Sequence, residues 1–227
     1  MKKINKKLLL VATFIVFFVL IQFYPLVEST QASCTTSLGI VTCIDDVVVT
    51  LQVDSGLSLS DGANVTMAPH ISVGVNSSIG SSAWTVITNN VNGYSLSVNP
   101  STAPALQLTI GASDTFANYT ETSPGDPEQP WSVASGAKEF GYSAYGADTL
   151  DGTWGTAHSC GAAGAPSTTQ SYVGFKTDLS KREIANKSSA TTVAGVTTTI
   201  CFAAQQNGTL AVPGTYTATI TGTAITL

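Results

Sequence analysis

"TNNVNGYSLSV", Thr88 to Val98, is the stretch on which the fold turns. Three asparagines and a glycine stand between two apolar runs. Before them, Trp84 to Thr88 reads as a strand. After them, Tyr94, Leu96 and Val98 alternate with Ser95 and Ser97. Asn and Gly tolerate positive φ, and Asn side chains bond nearby main-chain groups, so the polar knot is what a tight reversal between two strands demands. It is read as a corner of the chain, not as a binding site, with Tyr94 packing at the start of its strand as Tyr216 does in "PGTYTATI".

The same period-2 habit extends outward in both directions. "VVVTLQV" puts Val47, Val49, Leu51 and Val53 on one face, and "ISVGV" does so with Ile71, Val73 and Val75. "LQLTI" alternates Leu106, Leu108 and Ile110, while "TTTICFAA" and "TYTATITGTAITL" continue the pattern near the end. Alternation with this much Thr and Val signals half-buried strands of antiparallel sheets. The one helical expectation is "DLSKREIA", 178 to 185, with Asp178 as N-cap. Short strands with turns about every ten residues predict an all-β fold, an antiparallel immunoglobulin-like β-sandwich. The segment from about 111 to 170 is richer in Gly, Ala, Ser and Pro and is expected to form a loop-rich excursion on that sandwich.

In front of the strands lies a different composition. Lys2, Lys3, Lys6 and Lys7 precede the apolar run 8–27, and "ESTQA" offers small residues for cleavage after Ala32. This is the layout of an export signal, and the apolar run is long enough to serve instead as an uncleaved membrane anchor. Either way the rest, 33–227, is expected outside the cytoplasm as a single domain. Four of the nine Lys and Arg and one of the fourteen acidic residues belong to residues 1–32, so the remainder is acidic. That balance argues against nucleic acid and anionic lipid as partners. Membrane contact is expected only through the N-terminal segment.

Cys34, Cys43, Cys160 and Cys201 all follow the leader. An even count in an exported chain reads as two disulfides. Three pairings are open. Proximity along the chain favours Cys34–Cys43 and Cys160–Cys201, worth roughly 3 and 4 kcal/mol on the loop-entropy model. No C-x-x-C occurs, and His70 and His158 lack a ligand-spaced partner, so neither a metal nor any cofactor is expected.

Catalytic signals are sparse. Ser135 to Lys138 matches S-x-x-K, but its neighbours read as loop and strand where that chemistry needs a helix start. Asp45 with Asp46, Asp126 with Glu128, and Asp148 with Asp151 are paired carboxylates of the kind glycoside hydrolysis uses, each in a turn context that favours Asp for local bonding. "DTLDGTWG", 148 to 155, lacks calcium-loop spacing. Trp131, Tyr142, Tyr145 and Trp154 are the candidate ligand-contacting aromatics, since an aromatic face suits the apolar face of a sugar. Filling a small satellite core beneath the loops is their competing role. No catalytic residue is assigned.

"TNNVNGYSLSV", "EFGYSAYG" and the closing "TTTICFAAQQNGTLAVPGTYTATITGTAITL" together resemble small secreted bacterial β-sandwich proteins of the cell surface. The closing strand is also similar to WxL cell-surface domains and to spore-coat-U-like fimbrial subunits, although the W-x-L signature is absent. The resemblance implies an exported structural or adhesive protein, not an enzyme. Its expected partner is a protein or glycan at the cell surface, with self-association through the C-terminal strand. A carbohydrate-binding module and a secreted hydrolase with an unrecognised carboxylate site are the alternatives.

Overall fold

The computed structural model describes residues 33–44, 47–60, 62–110, 113–121 and 130–227. The leader 1–32, Asp45, Asp46, Asp126 and Glu128 lie outside the described residues. The chain divides into two compact units, Met1–Val53 and Asp54–Leu227, where the sequence suggests one domain from residue 33 onward.

In the first unit, β1 (Ser33–Ser37) and β2 (Ile40–Ile44) form a hairpin with Cys34 opposite Cys43, and these two cysteines are bonded. The two-residue turn Leu38–Gly39 has φ of 51° and 76°, the positive pair a tight hairpin needs. Val47–Val53 corrects the strand expectation. No strand forms there, and Val47, Val48, Val49, Leu51 and Val53 are between 73% and 89% exposed. Alternation makes a segment fit for a sheet, but a ladder also needs a partner edge.

The second unit holds the main sheets. A large sheet runs β14 (Tyr216–Thr217), β6 (Leu106–Leu108), β7 (Thr115–Asn118), β8 (Ala137–Gly146), β13 (Val196–Asn207), β4 (Ser77–Thr88), β3 (Leu57–Leu59), with β11 (Val173–Gly174) also pairing β8. A three-stranded sheet runs β12 (Arg182–Lys187), β5 (Tyr94–Pro100), β15 (Ile220–Thr226). β9 (Gly161–Ala162) and β10 (Ala165–Pro166) make a small hairpin. Pairing is antiparallel except that β7 runs parallel to β8.

β13 explains the design. It pairs over ten residues with β4 on one side and over ten with β8 on the other. Its Ile200, Phe202 and Ala204 enter the main core with Trp84 and Val86 of β4, and with Tyr94, Leu96 and Val98 of β5 in the smaller sheet. The two sheets therefore share one apolar core. Its Cys201 and Ala203 point the other way, into a second cluster with Tyr119, Tyr172 and Trp131. A strand covered on both faces reads as a near-continuous apolar run, as "ICFAA" does. Cys160 is bonded to Cys201, which fastens the loops over this second cluster to the centre of the sheet.

Three further expectations change. The segment 111–170 is no mere excursion, because "KEFGYSAYG" belongs to β8, next to the central strand. "DLSKREIA" forms no helix: Asp178 accepts a hydrogen bond from the Ser180 amide (3.0 Å) in a local turn, and the rest enters β12. "ISVGV" makes only a tight turn closed by Ser72 and Val75. The one helical piece among the described residues is the single turn Asp151–Trp154.

A turn forms at residues 88–94 as read, but β4 and β5, which it joins, lie in different sheets and do not pair with each other. Gly93 sits at φ 83°, its amide donates to the Asn90 carbonyl (3.0 Å), and Asn90 Oδ1 accepts the Asn92 amide (2.8 Å). Asn89 spans to the other side of the turn, accepting from the Gly56 amide and donating to the Asp54 carbonyl.

Candidate functional site

The residues singled out in the sequence are scattered. Tyr142 and Trp154 lie in the main core at 1% and 3% exposure, with Tyr142 stacked on Phe175 at 4.4 Å. Rings so enclosed present no face to a sugar, which corrects their candidacy. Trp131 and Tyr145 lie on the opposite face of the large sheet and are half-buried. Trp131 stacks on Tyr119 (4.4 Å, 19°) and donates its indole N–H to Gln205 Oε1 (2.6 Å). Tyr145 lies parallel to the His158 ring (6.1 Å, 9°). This is the satellite core beneath the loops, with two rings left partly open.

Asp148 is committed to structural bonds. It accepts from the Tyr94 hydroxyl (2.7 Å) and pairs with Lys187 (3.2 Å), and its side chain is 7% exposed. Burial, reinforced by Asp148, pushes the Tyr94 phenol well above its usual range. Asp151 begins the helical turn. In the S-x-x-K match, Ser135 lies in the turn before β8 and the Lys138 ammonium is held by Asp114.

What the sequence did not announce is a cleft in the second unit, of about 1480 Å³. Tyr94, Leu96 and Val98 of the smaller sheet share one buried cluster with Val86 and Ile200 of the large sheet. Trp84, Phe116, Phe140, Phe202 and Ala204 form the floor of the cleft, flanked by two irregular lips, 62–73 and 210–222. The stacked Phe140 and Phe202 (6.0 Å, 16°) supply its centre. Trp84 fits against glycines: a Cβ at Gly62 would stand 2.7 Å from its Nε1, and one at Gly222 would stand 3.0 Å from its Cε2. Both positions are therefore kept free of side chains.

The lips are tied to the sheet by polar residues. Gln206, 3% exposed on β13, donates from Nε2 to the Ser72 carbonyl (3.1 Å) and accepts the Ala211 amide at Oε1 (2.9 Å). One buried side chain thus holds both lips. Asp114 anchors the second lip again, accepting from the Tyr216 hydroxyl (2.5 Å) and the Val212 amide (2.9 Å) while paired with Lys138. The bonds from Lys138, then Tyr216 and Val212, hold the Asp114 carboxyl well below the usual carboxylate range. Burial, and then Asp114 itself, pushes the Tyr216 phenol up to about 12. Ser82 Oγ donates to the Ala63 carbonyl (2.8 Å) and fixes the first lip to β4.

Among the described residues, none lining this cleft carries a formal charge, and His70, exposed on the first lip, is the one histidine. The arrangement can bury an apolar molecule but offers no pair of acid and base groups. The signal for it in the sequence was slight: Gln206 ends an alternating apolar face, Ile200, Phe202, Ala204, where a polar side chain must find partners. Compared with known proteins, the chain matches no family model, no curated protein and no solved structure.

Proposed function

We propose that the chain is an exported protein of the cell surface, built on an immunoglobulin-like β-sandwich, that works as a structural or adhesive component through contact rather than catalysis. The observation that carries this reading is Val47–Val53, where five large apolar side chains stand 73–89% exposed in one run. Contiguous exposed apolar surface of this kind marks sites where proteins meet. The export signal and the two disulfides support the location, because such bonds persist in oxidising compartments. The partner that fits is a protein surface, a second copy of this chain included. Double substitution Val49→Asp and Leu51→Asp is the test, read by sedimentation of the wild-type and altered chains and by surface biotinylation of cells expressing each. Loss of association with export retained supports the reading. A wild-type chain that stays inside the cell, or associates no less after the substitution, overturns it.

A glycan reading remains attached to one observation, the half-exposed Tyr145 lying parallel to His158. A glycan array with a Tyr145→Ala control decides it.

A further inference from the structure

The cleft of the second unit asks for an occupant of its own, independent of the exposed run. Its floor is aromatic and aliphatic, no lining residue among those described is charged, and its volume of about 1480 Å³ exceeds the 300–1,000 Å³ common for small-molecule pockets. We propose that it is a binding site for one elongated, uncharged hydrocarbon chain, the tail of a single lipid-like molecule taken up as a monomer.

The chemistry excludes the competitors in turn. A charged group on this floor would lose its hydration, and the charges beside it, Lys138 over Phe116 and Asp114 on Tyr216, are already paired with each other. A sugar could stack on these rings, but for its hydroxyls the buried Gln206 and Ser82 beside the floor are already bonded within the protein. A peptide strand would bring in amides on both sides, and the second lip has already spent its main chain. Ala211 and Val212 give their amides to Gln206 and Asp114, the Thr215 and Thr219 carbonyls accept from Thr109 and Ser101, and β14 is laddered to β6. Amides buried without partners are costly, whereas a hydrocarbon chain makes no such demand. The site is also formed in advance, since Gln206 and Asp114 hold the lips by bonds internal to the protein. Asn64, Thr66 and His70, exposed on the first lip, leave the mouth wet, so a hydroxyl or ester end of the ligand stays in water.

The test uses the full chain and a series of straight-chain primary alcohols, from decanol to hexadecanol, displacing Nile red. Binding should saturate at one site and tighten about fourfold per added methylene until the cleft is full. It should be insensitive to salt. Ala204→Phe places a ring on the floor and should abolish displacement while circular dichroism stays unchanged. Methyl NMR of the unaltered protein gives a reading that does not depend on that variant folding: hexadecanol should shift the Val65, Ile71 and Ile220 methyls. Shifts confined to Val47–Val53, absence of chain-length dependence, or displacement by an uncharged alternating peptide but not by hexadecanol would each overturn the proposal.

Discussion

Gly93 shows how tightly single positions are specified. A Cβ there would lie 1.8 Å from the Lys187 carbonyl oxygen, on a backbone already at φ 83°. Gly93→Ala is expected to cost at least about 2 kcal/mol from strain and displacement of the 187–189 segment. For a unit of this size that lowers the melting temperature by roughly 4–8 °C. Thermal melting checks it, and an unaltered midpoint would mean the turn is not as described. Two carboxylates make opposite predictions about pH. Asp114 is held ionised in the fold, so its contribution is complete above the usual carboxylate value of 3.8 and fades as pH falls below it. Asp114→Asn should therefore cost about 2 kcal/mol near pH 7, with the deficit shrinking below about pH 4. Glu139 is buried at 6% exposure, and desolvation raises its carboxyl above 4.5 against the pull of Thr120. Its ionisation costs the fold stability as pH rises through that range. Glu139→Gln should then melt higher than wild type at pH 7 and no higher at pH 4, a comparison two calorimetric scans provide.

Among the elements, β14 and β15 are one run of chain that changes sheets. Thr215–Thr223 alternates cleanly, and the phase change after Ala224 predicts a bulge or a passage between sheets. The passage occurs, but at Ala218–Thr219, between the ladder to β6 and the ladder to β5, and Thr219 is held by the Ser101 amide. Since β15 pairs with β5 from Ile220 to Thr226, removing residues 221–227 strips an entire ladder. The shortened chain should lose several kcal/mol and melt lower as a monomer, which chromatography and melting detect together. An unaltered melting temperature with lost association would mean that β15 serves a neighbour. Alternation made β5 and the end of β4 legible because Tyr94, Leu96 and Val98, and Trp84 and Val86, keep one apolar parity and meet partners in register. It failed at Val47–Val53, where the parity is as good but the segment pairs with no described strand, and the helix expected at 178–185 is absent because the Asp178 side chain spends itself on a local turn. Local pattern reports what a segment can do, while pairing is decided by distant chain.

At the scale of the whole molecule, the cleft is the part that no segment carries. Its floor draws on residues 84, 116, 140 and 202, its lips on 62–73 and 210–222, and each piece looks like an ordinary half of a strand or loop. The cysteine pairing was legible, since both bonds form within the predicted pairs. The roles of Trp131 and Trp154 were legible only as alternatives, because a ring's face is settled by what packs above it.

The placement of β13 also sets a schedule. The strand at the centre of the large sheet spans residues 196–207, so its neighbours β4 and β8 are synthesised long before the strand that joins them. Until then a nascent chain can make only local hairpins and partial sheets, which are marginal in water. Late, long-range pairing is slow. A chain ending at residue 195 should remain protease-sensitive and without a cooperative melt, and adding residues 196–227 should restore both together, so that the arrival of β13 acts as the switch for folding.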